Sequence, residues 1–257
     1  MISKFTLKTN GDLKFFQSEL LNSEKEVKHF FSTKKGGVST GEFESFNLGI
    51  FTNDYKENIK KNFNIICKEL NMNTKVAYVN QEHGKKVVIV TNENFDSVVG
   101  QKADAIVTNE KNIPVGVFTA DCVPILLYDR EKKVVAAIHA GWRGVEAKIL
   151  SETVNLMKTT FNSLEENILC SIGPCIGKCC FEVSPDVGEK FTFKDERDGS
   201  IYVDLVKEVY NEAIKINIVE ENIDISNICT VCEKDTLYSY RRDKGKTGRL
   251  GAFIEIV

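Results

Sequence analysis

Residues 119–129, TADCVPILLYD, decide how the middle of this chain folds. Asp121 and Cys122 interrupt two apolar runs, residues 115–119 and 123–129, whose aliphatic and β-branched side chains are typical of buried strands. A charge buried among such residues is costly unless a partner compensates it. The stretch therefore predicts two strands separated by a break, at which Asp121 and Cys122 face a partner from elsewhere in the chain.

Further apolar runs extend this pattern into a sheet-rich fold. Val76 to Val79 and Val87 to Thr91, in KVAYV and KKVVIVT, flank Gln81-Glu82-His83-Gly84 and predict two paired strands joined by a short loop. The other predicted strands lie at 104–108, 115–119, 123–129 and 133–139 and in the runs ILCSIG, ISNICTVC and LGAFIEIV.

Helical periodicity appears in three places. One helix is predicted after a cap at Asn53 or Asp54, a second after GWRG, and a third from near Asp204. Because several consecutive strands lack a helix between them, the sequence predicts an α+β fold with mixed β-sheets and outer helices, in a single domain over residues 1–257.

Composition excludes several classes of function. The 257 residues are 42% hydrophobic and 28% charged with a net charge of -3, which disfavours nucleic acid and membrane partners. The apolar stretch Val123–Tyr128 is far shorter than the roughly 20 residues that span a bilayer, and ISKFTLKTNGD has no signal-peptide core. The glycines form neither GxGxxG nor a P-loop. These features predict a cytoplasmic protein.

His83, Cys122 and His139 each lie where an apolar run ends. If neighbouring strands end together, two imidazoles and a thiolate converge, which suits Zn²⁺ with a fourth position open to water. Asp121 could then orient a ligand or accept a proton. The residues alone leave two alternatives, a Cys122–His139 nucleophile–base pair and an ordinary hydrogen-bonded core. The remaining histidine, His29, is interpreted as a partly exposed strand-edge residue.

Eight cysteines need a separate interpretation, because a reducing compartment disfavours disulfides. Cys67, in a helical pattern, is interpreted as a small buried hydrophobe. A group at 170–180 and the pair Cys229 and Cys232 could bind a metal or act in redox chemistry only if the fold joined them. Ordinary packing is the favoured interpretation for both groups, with a pocket-lining role considered for Cys175.

Seven motifs, in order along nearly the whole chain, resemble those of the YfiH-like family, historically called the multicopper polyphenol oxidase or laccase-domain family. Its bacterial members are called purine nucleoside phosphorylases or peptidoglycan editing factors. The motifs are FSTKKGGVSTGEFESFNLG, NQEHG, ADAIVTN, TADCVPILLYD, AAIHAGWRG, SIGPCIGKCCFEV and SYRRDKGKTGR.

The resemblance implies an α/β/β/α layered fold and one Zn²⁺ per chain, held by His83, Cys122 and His139. It implies phosphorolysis of adenosine, inosine, guanosine and methylthioadenosine, together with adenosine deamination. One alternative is a peptidoglycan editing hydrolase that removes L-serine from UDP-MurNAc-L-Ser. A copper polyphenol oxidase is less favoured, because three histidines cannot supply several copper sites.

Phosphorolysis also needs an anion clamp, for which Arg143 is the first candidate, since guanidinium groups bind phosphate in a bidentate manner. Arg241 is a further candidate, with Arg242 and Arg249 in the same motif. Ser45 and Asn47 are candidate substrate-binding residues, weighed against a structural role in their loop. Asp121 and Arg143 are the predicted catalytic residues.

Three more residues carry open alternatives. Lys34 stands where family members usually carry arginine, so a bidentate contact there is in doubt. Trp142 is either core or an aromatic wall for a purine, and Glu182 is either an acid–base group or a structural residue.

Overall fold

The computed structural model describes residues 5–257, in which fifteen strands and seven α-helices alternate irregularly. The helices are α1 Glu19–Asn22, α2 Lys56–Leu70, α3 Phe95–Val98, α4 Trp142–Glu146, α5 Ile149–Phe161, α6 Pro185–Gly188 and α7 Leu205–Lys215. The strands are β1 Phe5–Asn10, β2 Leu13–Ser18, β3 Val27–Ser32, β4 Ala77–Tyr78, β5 Val87–Ile89, β6 Ala105–Thr108, β7 Val115–Thr119, β8 Val123–Asp129, β9 Val134–Ala140, β10 Ile168–Ile172, β11 Glu182–Val183, β12 Lys194–Arg197, β13 Ser200–Val203, β14 Ile223–Ile225 and β15 Leu250–Ile256.

Two six-stranded mixed sheets form the centre of the molecule. Sheet I has the order β1-β2-β3-β15-β7-β4, and sheet II has the order β14-β10-β8-β9-β6-β5. Most neighbours are antiparallel, whereas β4 with β7, β5 with β6, and β10 with β14 are parallel. A small three-stranded sheet, β11-β13-β12, stands apart from both. The mixed sheets confirm the predicted α+β class.

The sheets pack face to face and are covered by helices on their outer faces. Val117 and Ile254 of sheet I meet Leu126 and Ala137 of sheet II in one apolar core. A second core lies between sheet I and α2, and a third lies between sheet II and helices α4, α5 and α7. The order of layers is therefore α/β/β/α. Strands β8 and β9 are buried along their whole length because apolar layers cover both of their faces.

The predicted strands at 104–108, 115–119, 123–129 and 133–139 are confirmed to within one residue. Helix α7 is also confirmed, and the side chain of Asp204 accepts from the amide of Lys207 at its start. Helix α2 has Tyr55 as its N-cap, one residue after Asp54, the later of the two predicted caps. Asp54 lies just before this cap: its Oδ1 accepts from the amide of Tyr55, and its Oδ2 accepts from Ser39 and Asn47.

One strand pairing was wrong, and the error is informative. The strands β4 and β5 do not pair with each other: β4 belongs to sheet I and pairs with β7, whereas β5 belongs to sheet II and pairs with β6. Residues 79–86 therefore cross from one sheet to the other. Residues 120–122, between β7 and β8, make the same crossing. Both crossings lie at the same end of the two-sheet core.

Two smaller predictions were also wrong. ISNICTVC is a strand only at its first residue, Ile225, and then turns away as a loop that makes an isolated bridge between Cys175 and Cys229. His29 is not partly exposed: only 1% of it is accessible. Its Nε2 accepts from the amide of Ser18 at 2.9 Å, which offsets the cost of burying that ring nitrogen.

Candidate metal centre

His83, Cys122 and His139 converge at the crossings between the sheets. Their ligand atoms lie within 4.8 Å of one another. The strand register explains the approach of two of them: Val123 of β8 faces Ala140 of β9 and Pro124 faces His139, so Cys122 lies beside the end of β9. His83 comes from the other crossing, and its ring lies 4.8 Å from that of His139 between centroids.

The loop that carries His83 is held by two side chains. Gln81 forms two hydrogen bonds with the backbone of Phe118, donating to its carbonyl at 2.7 Å and accepting from its amide at 2.8 Å. Asp104 accepts from the amides of His83 at 2.9 Å and Gly84 at 2.7 Å. These contacts fix His83 at φ 61°, a left-handed conformation that non-glycine residues adopt at a cost and often at functional sites.

Asp104 also orients His139. Its Oδ1 lies 2.8 Å from Nδ1 of His139, and both side chains are almost completely buried. A carboxylate accepts only, so Nδ1 donates to Asp104 and Nε2 is left to face Cys122 and His83. Carboxylate–histidine pairs of this kind are typical of metal-binding histidines.

Mutual electrostatics favour the ionised form of the thiol. Burial alone would raise the pKa of Cys122, but the charges and hydrogen bonds of His139 and His83 outweigh it and lower the pKa to about 6. Burial likewise opposes protonation of His139, yet Cys122 and Asp104 raise its pKa to about 9. For Asp104, burial is opposed by hydrogen bonds from His139 and Gly84, and the net pKa is lowered. The protein thus stabilises a Cys122 thiolate beside a protonated His139, which must lose its Nε2 proton when a metal ion binds.

The close approach of these groups requires a glycine at position 141. A Cβ atom there would lie 2.8 Å from Cδ2 of His83 and 3.3 Å from Sγ of Cys122. Contacts this short would push His83 away from the other two ligands. Two imidazole nitrogens and one thiolate form a donor set that Zn²⁺ accepts with an open fourth position, so the residues present fit a zinc ion.

The three side chains open into a cavity of about 530 Å³, a size suited to a small-molecule ligand. Its walls combine aromatic rings with two guanidinium groups. Phe51 and Tyr240, which are 57% and 55% exposed, stand at its mouth, whereas Phe118 and Phe181 lie inside. The other lining residues are Gly49, Thr52, Asn80, Gln81, Thr119, Ala120, Asp121, Ile176, Arg241 and Arg249.

The predicted residue Asp121 lines this cavity, but it does not hold a ligand side chain. Its carboxylate accepts from the hydroxyl of Thr230 at 2.6 Å and from the amide of Arg241 at 2.7 Å. Its φ of 93° lies in the left-handed region, and its own carbonyl accepts from the amide of Ile176. Asp121 therefore fixes the turn that presents Cys122, and the ligand-orienting role belongs to Asp104.

The predicted arginines separate into two groups. Arg241 and Arg249 line the cavity. Arg143 does not: its guanidinium lies 4.2 Å above the ring of Trp142, in a cation–π contact on the exposed side of α4. Trp142 packs against the helical core of sheet II, so it is not a wall of the cavity either. In this geometry Arg143 lies outside the cavity, so the structure gives no support to its predicted role as an anion clamp.

Ser45 and Asn47 lie outside the cavity and shape its loop instead. Asn47 is fully buried, and its Oδ1 accepts from the amides of Gly49 at 2.9 Å and Arg249 at 2.8 Å. The hydroxyl of Ser45 donates to the carbonyl of Lys34 and accepts from the amide of Gly37. Direct substrate contact by either residue is not supported, because short polar side chains here satisfy turn backbone. Asn47 therefore acts on the site through the cavity residues that it holds, Gly49, Thr52 and Arg249.

Cys175 and Glu182 make structural contacts. Cys175 is 2% exposed and lies behind the cavity wall. The carboxylate of Glu182 accepts from Ser200 and Tyr202 on the small sheet, while its main-chain carbonyl accepts from Arg241 at 2.9 Å.

Sequence reasoning missed Asp104 and Gln81, although both lie in motifs already noted, ADAIVTN and NQEHG. The signal for Asp104 was the same as for Asp121: an acid at the head of a buried strand must find partners. Gln81 gave no such signal, because its bonds to Phe118 depend on the crossing between the sheets.

Comparison with known proteins places this fold and site in a family of metal-associated proteins. Residues 28–257 match the family model described as multi-copper polyphenol oxidoreductase laccase. The chain belongs to this family. It is 36% identical over 232 residues to the purine nucleoside phosphorylase YfiH of Escherichia coli, covering 88% of this chain and 92% of that protein.

Two further likenesses agree with this assignment. The purine nucleoside phosphorylase YlmD of Bacillus subtilis is 34% identical over 254 residues, with 90% of this chain and 89% of that one covered. The crystal structure of YlmD from Geobacillus stearothermophilus matches with a TM-score of 0.90 at 27% identity, covering 99% of both chains.

No helix within residues 5–257 combines the length and apolar character that crossing a membrane requires.

Proposed function

We propose that this protein is a zinc-dependent purine nucleoside phosphorylase that also deaminates adenosine in the same cavity. The observation that carries the proposal is the convergence of His83, Cys122 and His139 at a cavity walled by aromatic rings and guanidinium groups. The relatives named purine nucleoside phosphorylase support the same class of small-molecule substrate. We place the protein in the cytoplasm on the composition of its sequence.

The walls of the cavity suit the two substrates of phosphorolysis. Phe118, Phe181 and Tyr240 offer flat apolar surfaces against which a purine ring can stack. The guanidinium of Arg249 donates to the main-chain carbonyls of Thr247 and Gly248, and neither of these contacts neutralises its charge. Arg241 likewise donates to the carbonyl of Glu182. Their positive charge attracts the phosphate anion.

In phosphorolysis a phosphate oxygen bonds to C1′ of the ribose, and the glycosidic bond breaks with its electron pair passing to the purine, which takes up a proton. In deamination, water adds at C6 of adenine and ammonia leaves. A zinc ion bound by His83, Cys122 and His139 supplies Lewis acidity and acidifies water for such chemistry. Asp121 lines the cavity and keeps lone pairs on both carboxylate oxygens, so it is our candidate for moving the proton.

Chromatography of reactions with adenosine or inosine, with and without phosphate, tests this proposal. We expect ribose 1-phosphate and free base only when phosphate is present, and conversion of adenosine to inosine in either case. Cys122→Ala is expected to abolish both reactions. Arg249→Ala is expected to raise the KM for phosphate, while Arg143→Ala, which removes a guanidinium outside the cavity, serves as its matched control.

Several outcomes would overturn the proposal. Zinc-loaded protein that leaves nucleosides intact but hydrolyses UDP-MurNAc-L-serine would establish the peptidoglycan editing activity instead. Copper-dependent oxidation of a diphenol would establish the oxidase. The structure disfavours the oxidase, because His29 is buried in β3 and bonded to Ser18, which leaves two histidines, His83 and His139, at the centre.

A further inference from the structure

A second group of potential ligands lies outside the centre described above. Cys179, Cys180, Cys229 and Cys232 place their sulfur atoms within 4.8 Å of one another. Cys232 Sγ lies 3.6 Å from Sγ of Cys179 and 3.6 Å from Sγ of Cys180. The sequence favoured ordinary packing for these residues, but Cys179 and Cys232 are exposed at the surface. Burial of apolar surface therefore does not explain why the four thiols meet.

The distances suit a single tetrahedral ion. Zinc–sulfur bonds of about 2.3 Å in a tetrahedron place neighbouring sulfurs about 3.8 Å apart, close to the 3.6 Å seen for two pairs here. A disulfide would need sulfurs at about 2.05 Å. An iron–sulfur cluster interposes iron and sulfide between the thiolates and would hold them further apart than this group allows.

The backbone around the group is arranged for sulfur. The amide of Gly177 donates to Sγ of Cys229 at 3.2 Å, a contact that favours a thiolate. Any side chain at position 177 would press on the group, since a Cβ atom there would lie 3.2 Å from Sγ of Cys179. A bridge between Cys175 and Cys229 aligns the two loops that supply the ligands.

We propose that Cys179, Cys180, Cys229 and Cys232 bind a structural zinc ion. Four protein ligands close the tetrahedron and leave no position for substrate, which distinguishes a structural from a catalytic site. The ligands must lose their thiol protons when the ion binds, and the amide of Gly177 helps to offset the resulting negative charge.

The ion would connect two segments of the chain that form or support the walls of the cavity. Phe181, which lines the cavity, directly follows Cys180. Thr230, which follows Cys229, donates to the carboxylate of Asp121 at 2.6 Å. The structural zinc would therefore hold the supports of the turn that presents Cys122, without touching the substrate.

Metal content of protein purified without added metal tests this inference, whatever reaction the enzyme catalyses. We expect two zinc ions per wild-type chain and one in each of Cys232→Ser, Cys179→Ser and His83→Ala. Cys67→Ala removes a cysteine buried in α2 and is the matched control, with both ions retained. X-ray absorption of His83→Ala protein should show four sulfurs around its remaining zinc at about 2.3 Å.

A second measurement does not depend on folding of the variants. Titration of wild-type protein with a mercurial thiol reagent should release one zinc ion as Cys179, Cys180, Cys229 and Cys232 react, and the other as Cys122 reacts, so that both ions are free after five thiols are modified. A zinc content unchanged in Cys232→Ser, or fewer than four sulfurs in the absorption spectrum, would overturn the inference. So would a disulfide between any two of the four residues, or iron in place of zinc.

Discussion

Asp104→Asn is the most informative single change, because it keeps the shape of the side chain and removes its charge. The carboxylate receives four donors: the amides of Glu82, His83 and Gly84, and Nδ1 of His139. Each of its oxygens takes two of them. An asparagine must replace one oxygen with an NH₂ group, so two donors then face a donor.

The magnitude follows from this count. Each buried donor left without an acceptor costs about 1–3 kcal/mol, so the variant should be less stable by about 2–6 kcal/mol. Loss of a carboxylate that supports a metal ligand typically weakens metal binding by about 10–100-fold. We expect a loss in that range, because in either orientation of the asparagine the loop that carries His83 loses at least one amide acceptor, and His139 loses the negative charge beside its ring.

Competition with a chromophoric chelator measures the zinc affinity, and denaturant unfolding of the metal-free protein measures stability. Asp129→Asn is the matched control: this buried acid ends β8 at the far side of sheet II, and only its Oδ1 has partners, the amides of Glu131 and Lys132. Its variant should bind zinc as the wild type does. If Asp104→Asn kept wild-type zinc affinity while Asp129→Asn behaved as expected, the carboxylate would not orient the ligands and the reasoning would fail.

Three further predictions concern other parts of the chain. Burial lowers the pKa of His29 to about 3 from its ordinary 6.5. Between these two pH values the unfolded chain binds a proton at His29 that the folded chain does not. The free energy of unfolding should therefore fall as the pH drops below 6.5, and His29 should account for a loss of about 2 kcal/mol at pH 5. In urea titrations at pH 5 and 7.5, His29→Gln should lose about 2 kcal/mol less than the wild type between the two pH values. An equal loss in both proteins would contradict this prediction. Gly141→Ala should displace His83 and weaken zinc binding at least tenfold in the chelator assay. Gly100→Ala is the control for backbone strain: its methyl group meets no atom within 4 Å, but its φ of 81° disfavours alanine, so this variant should lose stability and keep its zinc affinity. Arg249→Lys keeps the charge but loses the planar fork, so the KM for phosphate should rise several-fold while the KM for inosine changes little; equal increases in both would argue against phosphate binding there.

The sequence predicted the parts of this structure that depend on local pattern. Strands 115–119 and 123–129 were correct because continuous apolar runs bounded by polar residues mark buried strands. The convergence of His83, Cys122 and His139 was predicted correctly because each of them interrupts or ends such a run. The family resemblance supplied the order of the layers, which apolar periodicity alone does not encode.

The errors arose where contacts between residues far apart in sequence determine which segments lie together. Strands β4 and β5 look like a hairpin in the sequence, but their partners, β7 and β6, lie in different sheets. The closeness of Cys179 and Cys232 depends on two loops separated by some fifty residues, and no local pattern reports such a meeting.

The two crossings give the metal centre a role in the integrity of the whole molecule. His83 lies on one strand-to-strand passage and Cys122 on the other, while His139 is anchored within sheet II. An ion bound to all three side chains would connect the two segments that pass between the sheets to strand β9 of sheet II. Separation of the layers would scatter the ligands, so added zinc should raise the unfolding temperature of the entire two-sheet body, by mass action, and chelation should lower it.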